Sequence, residues 1–298
     1  MMTDSKKIFI IWGFIVIIFV SFLVILRVNR GTIISYMDET SAESYLAEGK
    51  KYFDDKQYEK ALESYKKVEE IMNKTTYYNP WVFQGIGVSY LKLNDYDNAL
   101  KYLKRFTDEN KESLWAFINL ALCYKHFQRF DEAEKAYLEG LKIDENNIPL
   151  HEELTNFYLE QEKYDKAIEQ LEKLIVLEPL SEKFYVKLGS TYEKTNNLGK
   201  VKDVFSKLIV LSNKNPNYRF QYAMSLFQLG EYNDAIREFS EAIRWGYKDP
   251  VVNKWIGLCY YQVKQFPQAK DNFKKYLESN PKDDEIKKLF DEIDLKSK

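Results

Sequence analysis

Residues 80–113 read PWVFQGIGVSYLKLNDYDNALKYLKRFTDENKES, and residues 114–147 read LWAFINLALCYKHFQRFDEAEKAYLEGLKIDENN, so two 34-residue stretches align without a gap. Both contain a small residue, a tyrosine three positions later and an alanine twelve positions later, as in Gly87, Tyr90 and Ala99. Working outward, the alanine position recurs at steps of 34 residues, except for a first step of 38: Ala61, Ala99, Ala133, Ala167, Val201, Ala235 and Ala269. A fixed period of this size predicts a stack of helical hairpins.

The pattern within each repeat predicts two helices that pack closely through small residues. The position twelve residues before the alanine is small in six repeats and is Thr155 in the fourth. Three residues further on, a tyrosine recurs in six of the seven repeats, with Leu226 in its place once. This tyrosine suits a buried position with a polar tip. Caps for the second helix are predicted at Asp97, Asp131, Asp165 and Asn233, and Pro267 fits a first helical position.

This pattern closely resembles the tetratricopeptide repeat, over about 240 of the 298 residues. The resemblance implies an all-α fold, a right-handed α-solenoid of seven helical hairpins. The hairpins are predicted at 42–75, 80–113, 114–147, 148–181, 182–215, 216–249 and 250–283. The four extra residues 76–79 predict either a longer loop or an added helical turn. A final stripe formed by Ile286, Leu289, Phe290 and Ile293 predicts a C-terminal capping helix over 284–298.

The N-terminal segment predicts a membrane anchor. Residues 8–26 form a run of 19 residues without a charge, long enough to span a bilayer and longer than the apolar part of a signal peptide. We therefore expect one transmembrane helix within an anchor of residues 1–30, then a linker of residues 31–41. Two lysines before the span balance two arginines after it. Because long domains cross largely regardless of charge, we expect the repeats on the extracytoplasmic side.

Composition narrows the classes of function. The net charge of −2 argues against nucleic acid as a partner. Cys123 and Cys259 fall at equivalent positions four repeats apart and are expected to be buried, free thiols. The two histidines have no cluster of other metal-ligating residues around them, so we predict no metal site, no cofactor and no catalytic residue.

A second stripe on the first helix of each repeat is the candidate binding surface. In the second repeat it is formed by Trp81, Gln84, Val88 and Leu91, at spacings of 3, 4 and 3. The resemblance implies that this stripe lines a concave surface. Carried through the repeats, it predicts the following partner-binding residues: Trp81, Gln84, Leu91, Trp115, Ile118, Lys125, Phe220, Phe227, Lys254 and Tyr261.

Two interpretations of this stripe remain open. Val88, Leu122, Met224 and Leu258 suit packing against neighbouring helices, whereas the bulky aromatic residues suit either packing or contact with a partner. The predicted function is a membrane-anchored, non-catalytic scaffold that binds protein or peptide partners on its concave face. The alternative is an envelope assembly chaperone, a holdase for extended apolar client segments. Partner identity and oligomeric state do not follow from these residues.

Overall fold

Residues 37–296 form fifteen α-helices and no strand in the computed structural model, which describes these residues together with 20, 21, 23, 24, 27 and 28. The prediction of an all-α fold is confirmed. Helix α1 spans 37–54. The other helices are α2 (Tyr58–Lys74), α3 (Trp81–Lys92), α4 (Tyr96–Glu109), α5 (Leu114–His126), α6 (Phe130–Ile143), α7 (Ile148–Glu160), α8 (Tyr164–Leu177), α9 (Glu182–Lys194), α10 (Leu198–Leu211), α11 (Pro216–Gln228), α12 (Tyr232–Arg244), α13 (Val251–Gln262), α14 (Phe266–Ser279) and α15 (Asp284–Lys296).

The chain divides into two compact units, residues 1–145 and residues 146–298. In the first unit, helices α1 to α6 form three antiparallel pairs, and consecutive helices pack from α2 onward. Its core is built from the small residues of the repeat and the large side chains that face them. Ala61, Ala99 and Ala133 are fully buried, as are Ile86 and Leu103.

The second unit contains four helix pairs, α7 to α14, followed by α15. Ile286 and Ile293 of α15 are buried against a cluster that contains Phe273 and Tyr276. Asp283 fixes the start of this helix, because its carboxylate accepts the backbone N–H of Ile286 at 3.1 Å. The same carboxylate accepts the Tyr276 hydroxyl at 3.0 Å and the ammonium of Lys254 at 2.9 Å.

A residue with its backbone in the left-handed region closes the turn inside each of the seven helix pairs. Its φ lies between 54° and 79°, and it recurs with the period of the repeat at Lys56, Asn94, Gln128, Glu162, Asn196, Gly230 and Lys264. In each turn the next backbone N–H donates, at 2.8–2.9 Å, to the carbonyl of the repeated tyrosine position, as Lys163 does to Tyr158. This hydrogen bond is the Schellman arrangement that ends a helix. Only one of the seven turn residues is a glycine.

The predicted caps of the second helices are wrong by two residues. Helix α4 begins at Tyr96, so Asp95 is its cap and accepts the N–H of Asn98 at 3.1 Å. Asp97, Asp131, Asp165 and Asn233 instead lie within the first turns of their helices. An aromatic residue occupies the first helical position in each of these helices. The carboxylates of the three aspartates therefore stabilise their helices by lying near the positive end of the helix dipole, and they do not cap backbone N–H groups.

The four extra residues between the first and second repeats are used mainly for helix. Helix α2 has 17 residues, whereas α4, α6, α8, α10 and α14 have 14 each. Thr75 ends the extended helix, because its hydroxyl donates to the carbonyl of Ile71 at 2.8 Å. Of the two alternatives, the structure has the added helical turn.

The predicted membrane localisation is wrong for the part of the chain that the structure describes. None of the helices found there combines the length and the apolar composition that a bilayer span needs. Most of the expected transmembrane segment, residues 8–26, and most of the expected linker, residues 31–41, lie outside the described residues.

Candidate partner-binding groove

The first helices of the three N-terminal repeats, α1, α3 and α5, line an apolar groove of about 600 Å³. Helix α1 contributes Leu46, Ala47 and Lys50 to its wall. From the predicted stripe, Trp81 and Gln84 of α3 and Trp115 of α5 also line it, as does Val88. The stripe predicted for the second repeat and the start of that for the third therefore meet in one concavity of the first unit.

Two tryptophans dominate this groove, and both are open to solvent. Trp81 is 51% exposed and Trp115 is 63% exposed, and they lie in the first turns of α3 and α5. The backbone N–H of Trp81 donates to the side-chain oxygen of Asn79 at 3.1 Å, and one side of its ring packs at 5.2 Å from the buried ring of Phe106. The ring of Trp81 is thus held in place while much of it faces the groove.

The floor of the groove is the ring of Tyr65, which projects from α2 between two glycines. A β-carbon on Gly49 would lie 2.7 Å from this ring, and one on Gly85 would lie 2.8 Å from it. Only glycine therefore allows α1 and α3 to close over the ring. Burial, and in second place the negative charge of Asp54, raises the pKa of Tyr65 to about 12, so its hydroxyl stays protonated and neutral.

Some polar side chains of the groove have hydrogen-bond partners within the protein, and others do not. Glu43 accepts the hydroxyl of Tyr77 at 2.5 Å, and the amide of Asn119 donates to the carbonyl of Trp115 at 2.8 Å. Within the described residues, the side chains of Lys50 and Gln84 have no hydrogen-bond or ion-pair partner. With respect to the part of the chain that the structure describes, the groove therefore presents one cation and one amide without a partner beside its aromatic wall.

Sequence reasoning missed the contribution of α1, although the signal was present. Glu43, Leu46, Lys50 and Phe53 all line the groove. They precede the stripe of the second repeat by 38 residues, which is the length of the first repeat step. Applying the stripe to the first repeat with this longer step would have found all four.

Three other predicted residues of the first unit stand apart from the groove wall. Ile118 is only 7% exposed, so it belongs to the core. Leu91 and Lys125 are half-buried and do not line the groove. Their positions fit the packing interpretation better than contact with a partner.

The predicted aromatic residues of the second unit pack mainly against their own neighbours. Phe220 stacks on Tyr247 with ring centroids 4.4 Å apart, and Phe227 meets Trp255 edge-on at 5.0 Å. Tyr261 is half-buried against Phe266. These rings have the spacing of the stripe but not the exposure of the two groove tryptophans.

Lys254 is the predicted polar residue of the second unit, and like two other lysines there it is bound within the protein. Lys183 of α9 forms an ion pair with Glu152 of α7 at 2.7 Å, and Lys187 donates to Asn156 at 2.8 Å. Lys254 is held by Asp283. These contacts account for the role of the three lysines in the structure.

The histidines, cysteines and acidic residues that the structure describes form no metal-binding cluster. Among the described residues, no group of three or more histidine, cysteine, aspartate or glutamate side chains could hold a metal ion. Both Cys123 and Cys259 are fully buried free thiols, and burial raises the pKa of each to about 12. A thiol with such a pKa is a poor nucleophile at neutral pH.

Comparison with known families agrees with this geometry. The family model for the tetratricopeptide repeat matches residues 90–155, and the model for subunit 3 of the anaphase-promoting complex, the cyclosome, matches residues 156–242. The matched repeats are similar to tetratricopeptide repeats. The crystal structure of YrrB, a tetratricopeptide repeat protein with an unusual peptide-binding site, superposes with a TM-score of 0.50 at 19% identity, over 63% of this chain and 96% of that one.

Other neighbours share the fold at low sequence identity. The structure of Naa15/Naa10 bound to HypK-THB has a TM-score of 0.70 at 13% identity and covers 85% of this chain and 38% of that one. The C-terminal part of a tetratricopeptide repeat protein from Cytophaga hutchinsonii has a TM-score of 0.59 at 18% identity, over 81% and 97% of the two chains.

Two curated relatives are longer than this chain. Protein O-mannosyl-transferase TMTC3 of Homo sapiens is 23% identical over 69% of this chain but only 24% of its own length. A tetratricopeptide repeat-containing protein of Methanocaldococcus jannaschii is 25% identical over 67% of this chain and 38% of its own length. The chain thus spans well under half the length of these relatives.

Proposed function

We propose that this chain is a non-catalytic interaction module that binds a segment of a partner protein in the groove lined by α1, α3 and α5. The observation that carries the proposal is the pair of exposed tryptophans, Trp81 and Trp115, on one concave wall. Exposed aromatic side chains in a depression are typical anchors of protein interfaces. The other bulky residues of the predicted stripe are largely occupied by packing, which favours this groove over the rest of the stripe.

The expected contribution of the two rings is large enough to support specific binding. Covering the exposed half of one tryptophan removes on the order of 100 Å² of largely apolar surface from water. At about 25 cal/mol per Å², each ring then contributes roughly 2–3 kcal/mol. Together they supply the energetic centre of an interface, around which weaker polar contacts exclude water.

The relatives support a function in protein interaction, but they do not identify the partner of this chain. YrrB is a tetratricopeptide repeat protein with an unusual peptide-binding site. The human relative is named as a transferase, but the match covers 24% of its length and therefore carries no transferase activity to this chain. The fold is generally a scaffold without catalysis.

The test compares two tryptophan variants of the full-length chain with the unchanged chain in affinity capture. We expect Trp81→Ala combined with Trp115→Ala to lose the partners retained by the unchanged chain, with a loss in affinity of at least about 30-fold. Trp245→Ala is the matched control, because Trp245 is 39% exposed and lies in the second unit. The proposal fails if the double variant is folded and keeps every partner.

An aggregation assay separates a scaffold from a holdase. Suppression of aggregation for many unrelated unfolded clients, lost in the double tryptophan variant, would favour the chaperone. A single stoichiometric partner would favour the scaffold that we propose.

A further inference from the structure

We infer that the segment bound in this groove carries an acidic side chain close to a bulky apolar one, and that Lys50 forms an ion pair with the acidic side chain. The inference rests on the proposed function, since it concerns the same groove. It specifies the chemistry of the occupant: an extended, acidic and apolar peptide segment.

Lys50 lines the groove, and no carboxylate of the residues that the structure describes neutralises it. Asp54 stands four residues further along α1, at a spacing that permits a helical ion pair, yet Lys50 pairs with no carboxylate among the described residues. Lys183 and Lys254 in the second unit are instead tied to Glu152 and Asp283 at 2.7 and 2.9 Å. A carboxylate supplied by the occupant would complete the pattern at Lys50.

Glu43 is the other charged residue of the groove wall, and it does not form an ion pair with Lys50. Glu43 lies about two helical turns before Lys50, and its carboxylate already accepts the hydroxyl of Tyr77. It is therefore partly satisfied, and it is too far along α1 to pair with Lys50 directly. Lys50 is therefore the charged residue of the groove wall that the described residues leave without a partner.

The free amide of Gln84 suits the backbone of an extended segment. It offers donors and an acceptor and has no partner within the described residues. Leu46, Val88 and the two tryptophans surround it with apolar surface. An apolar anchor among these residues, an adjacent carboxylate on Lys50 and a backbone peptide group on Gln84 would together satisfy the groove.

The test uses three synthetic octapeptides that share a central leucine and differ only in its neighbours, which are aspartate, asparagine or lysine. Binding to the full-length chain is measured by fluorescence anisotropy at low ionic strength. An exposed ion pair contributes up to about 1 kcal/mol, so we expect the aspartate peptide to bind up to about fivefold more tightly than the asparagine peptide and the lysine peptide to bind most weakly. Added salt should reduce this preference.

Charge reversal provides the decisive comparison. Lys50→Glu should invert the order of the three peptides, whereas Lys51→Glu, which makes the same change at the neighbouring exposed residue outside the groove wall, should leave it intact. Equal affinities for the three peptides, or the same inversion in both variants, would overturn the inference. If equal affinities are weakened together by Trp81→Ala, only this inference fails and the proposed function stands. If none of the peptides binds, the inference is overturned as well.

Discussion

Replacing a left-handed turn residue by glycine should stabilise the protein, and Glu162 is the best site for this test. Its φ of 54° closes the turn between α7 and α8. The Glu162 side chain is exposed and makes no hydrogen bond or ion pair within the described residues. Glu162→Gly therefore removes backbone strain without removing a contact.

The magnitude follows from two opposing effects. A residue with a β-carbon in the left-handed region costs roughly 1–2 kcal/mol relative to its preferred conformations. Glycine makes the unfolded chain more flexible, which costs about 0.4–1 kcal/mol. The expected net gain in the free energy of unfolding is about 0.5–1 kcal/mol for Glu162→Gly.

The assay is equilibrium unfolding in urea, followed by circular dichroism. The midpoint of unfolding should rise for Glu162→Gly while the slope with denaturant stays constant. Glu162→Ala is the matched control, because it removes the same side chain but keeps a β-carbon at the strained φ. The reasoning is refuted if the glycine variant is no more stable than the alanine variant.

Three further predictions concern the second unit and the thiols. Gly257→Ala should lower the free energy of unfolding by about 1–3 kcal/mol, because the new β-carbon would lie 2.5 Å from the ring of a buried phenylalanine; Gly199→Ala, with nothing within 4 Å, should be nearly neutral in the same urea titration. Cys123 and Cys259 should resist alkylation by iodoacetamide at pH 8 until the chain is unfolded, because burial raises their pKa to about 12; rapid labelling of the native protein, read by mass spectrometry, would contradict this. Asp283→Asn should be less stable than the unchanged chain at neutral pH. Hydrogen bonding from a lysine lowers the pKa of Asp283 in the folded state, so its contribution is fully present above its unfolded pKa of about 3.9 and is lost as the pH falls through the folded value. Thermal unfolding from pH 7 to pH 2 should show the difference between the two chains disappear, and a constant difference would contradict the assignment.

The helix pairs were predictable because their signal is repeated. A small residue, a tyrosine and an alanine at fixed spacing recur in most repeats, and the alanine position is buried in all seven. Ala61, Ala99 and Ala167 are all fully buried, as the pattern predicts for a close helix contact. Seven imperfect copies of one pattern give a clearer result than any single copy.

The turns were not predictable from residue type. Four of the seven left-handed positions are occupied by Lys56, Gln128, Glu162 and Lys264, none of which favours this conformation. Their φ is imposed by the backbone hydrogen bond to the preceding helix and by the packing of the two helices. The predicted caps failed for a related reason, since the aromatic residue before Asp97 begins the helix and moves that carboxylate inside it.

The candidate groove was predictable only in part. The stripe identified Trp81, Gln84 and Trp115 as candidates, and these three line the groove. It could not distinguish them from Phe220 or Phe227, because spacing on one helix does not show whether another ring covers the side chain. The stacking of Phe220 on Tyr247 depends on a residue beyond the end of α12, outside the two-helix pattern.

The left-handed turns also offer a practical use. Their six side chains all point into solvent, one in every hairpin except that of Gly230, and the two native thiols are buried. A single cysteine introduced at Gln128 or Glu162 would be the only readily labelled thiol among the described residues. Fluorophores attached in this way would sit at equivalent points of successive hairpins. The fluorescence of a label at one turn would therefore report the unfolding of that hairpin, or its response to a bound partner, and the measurement can be repeated for each hairpin.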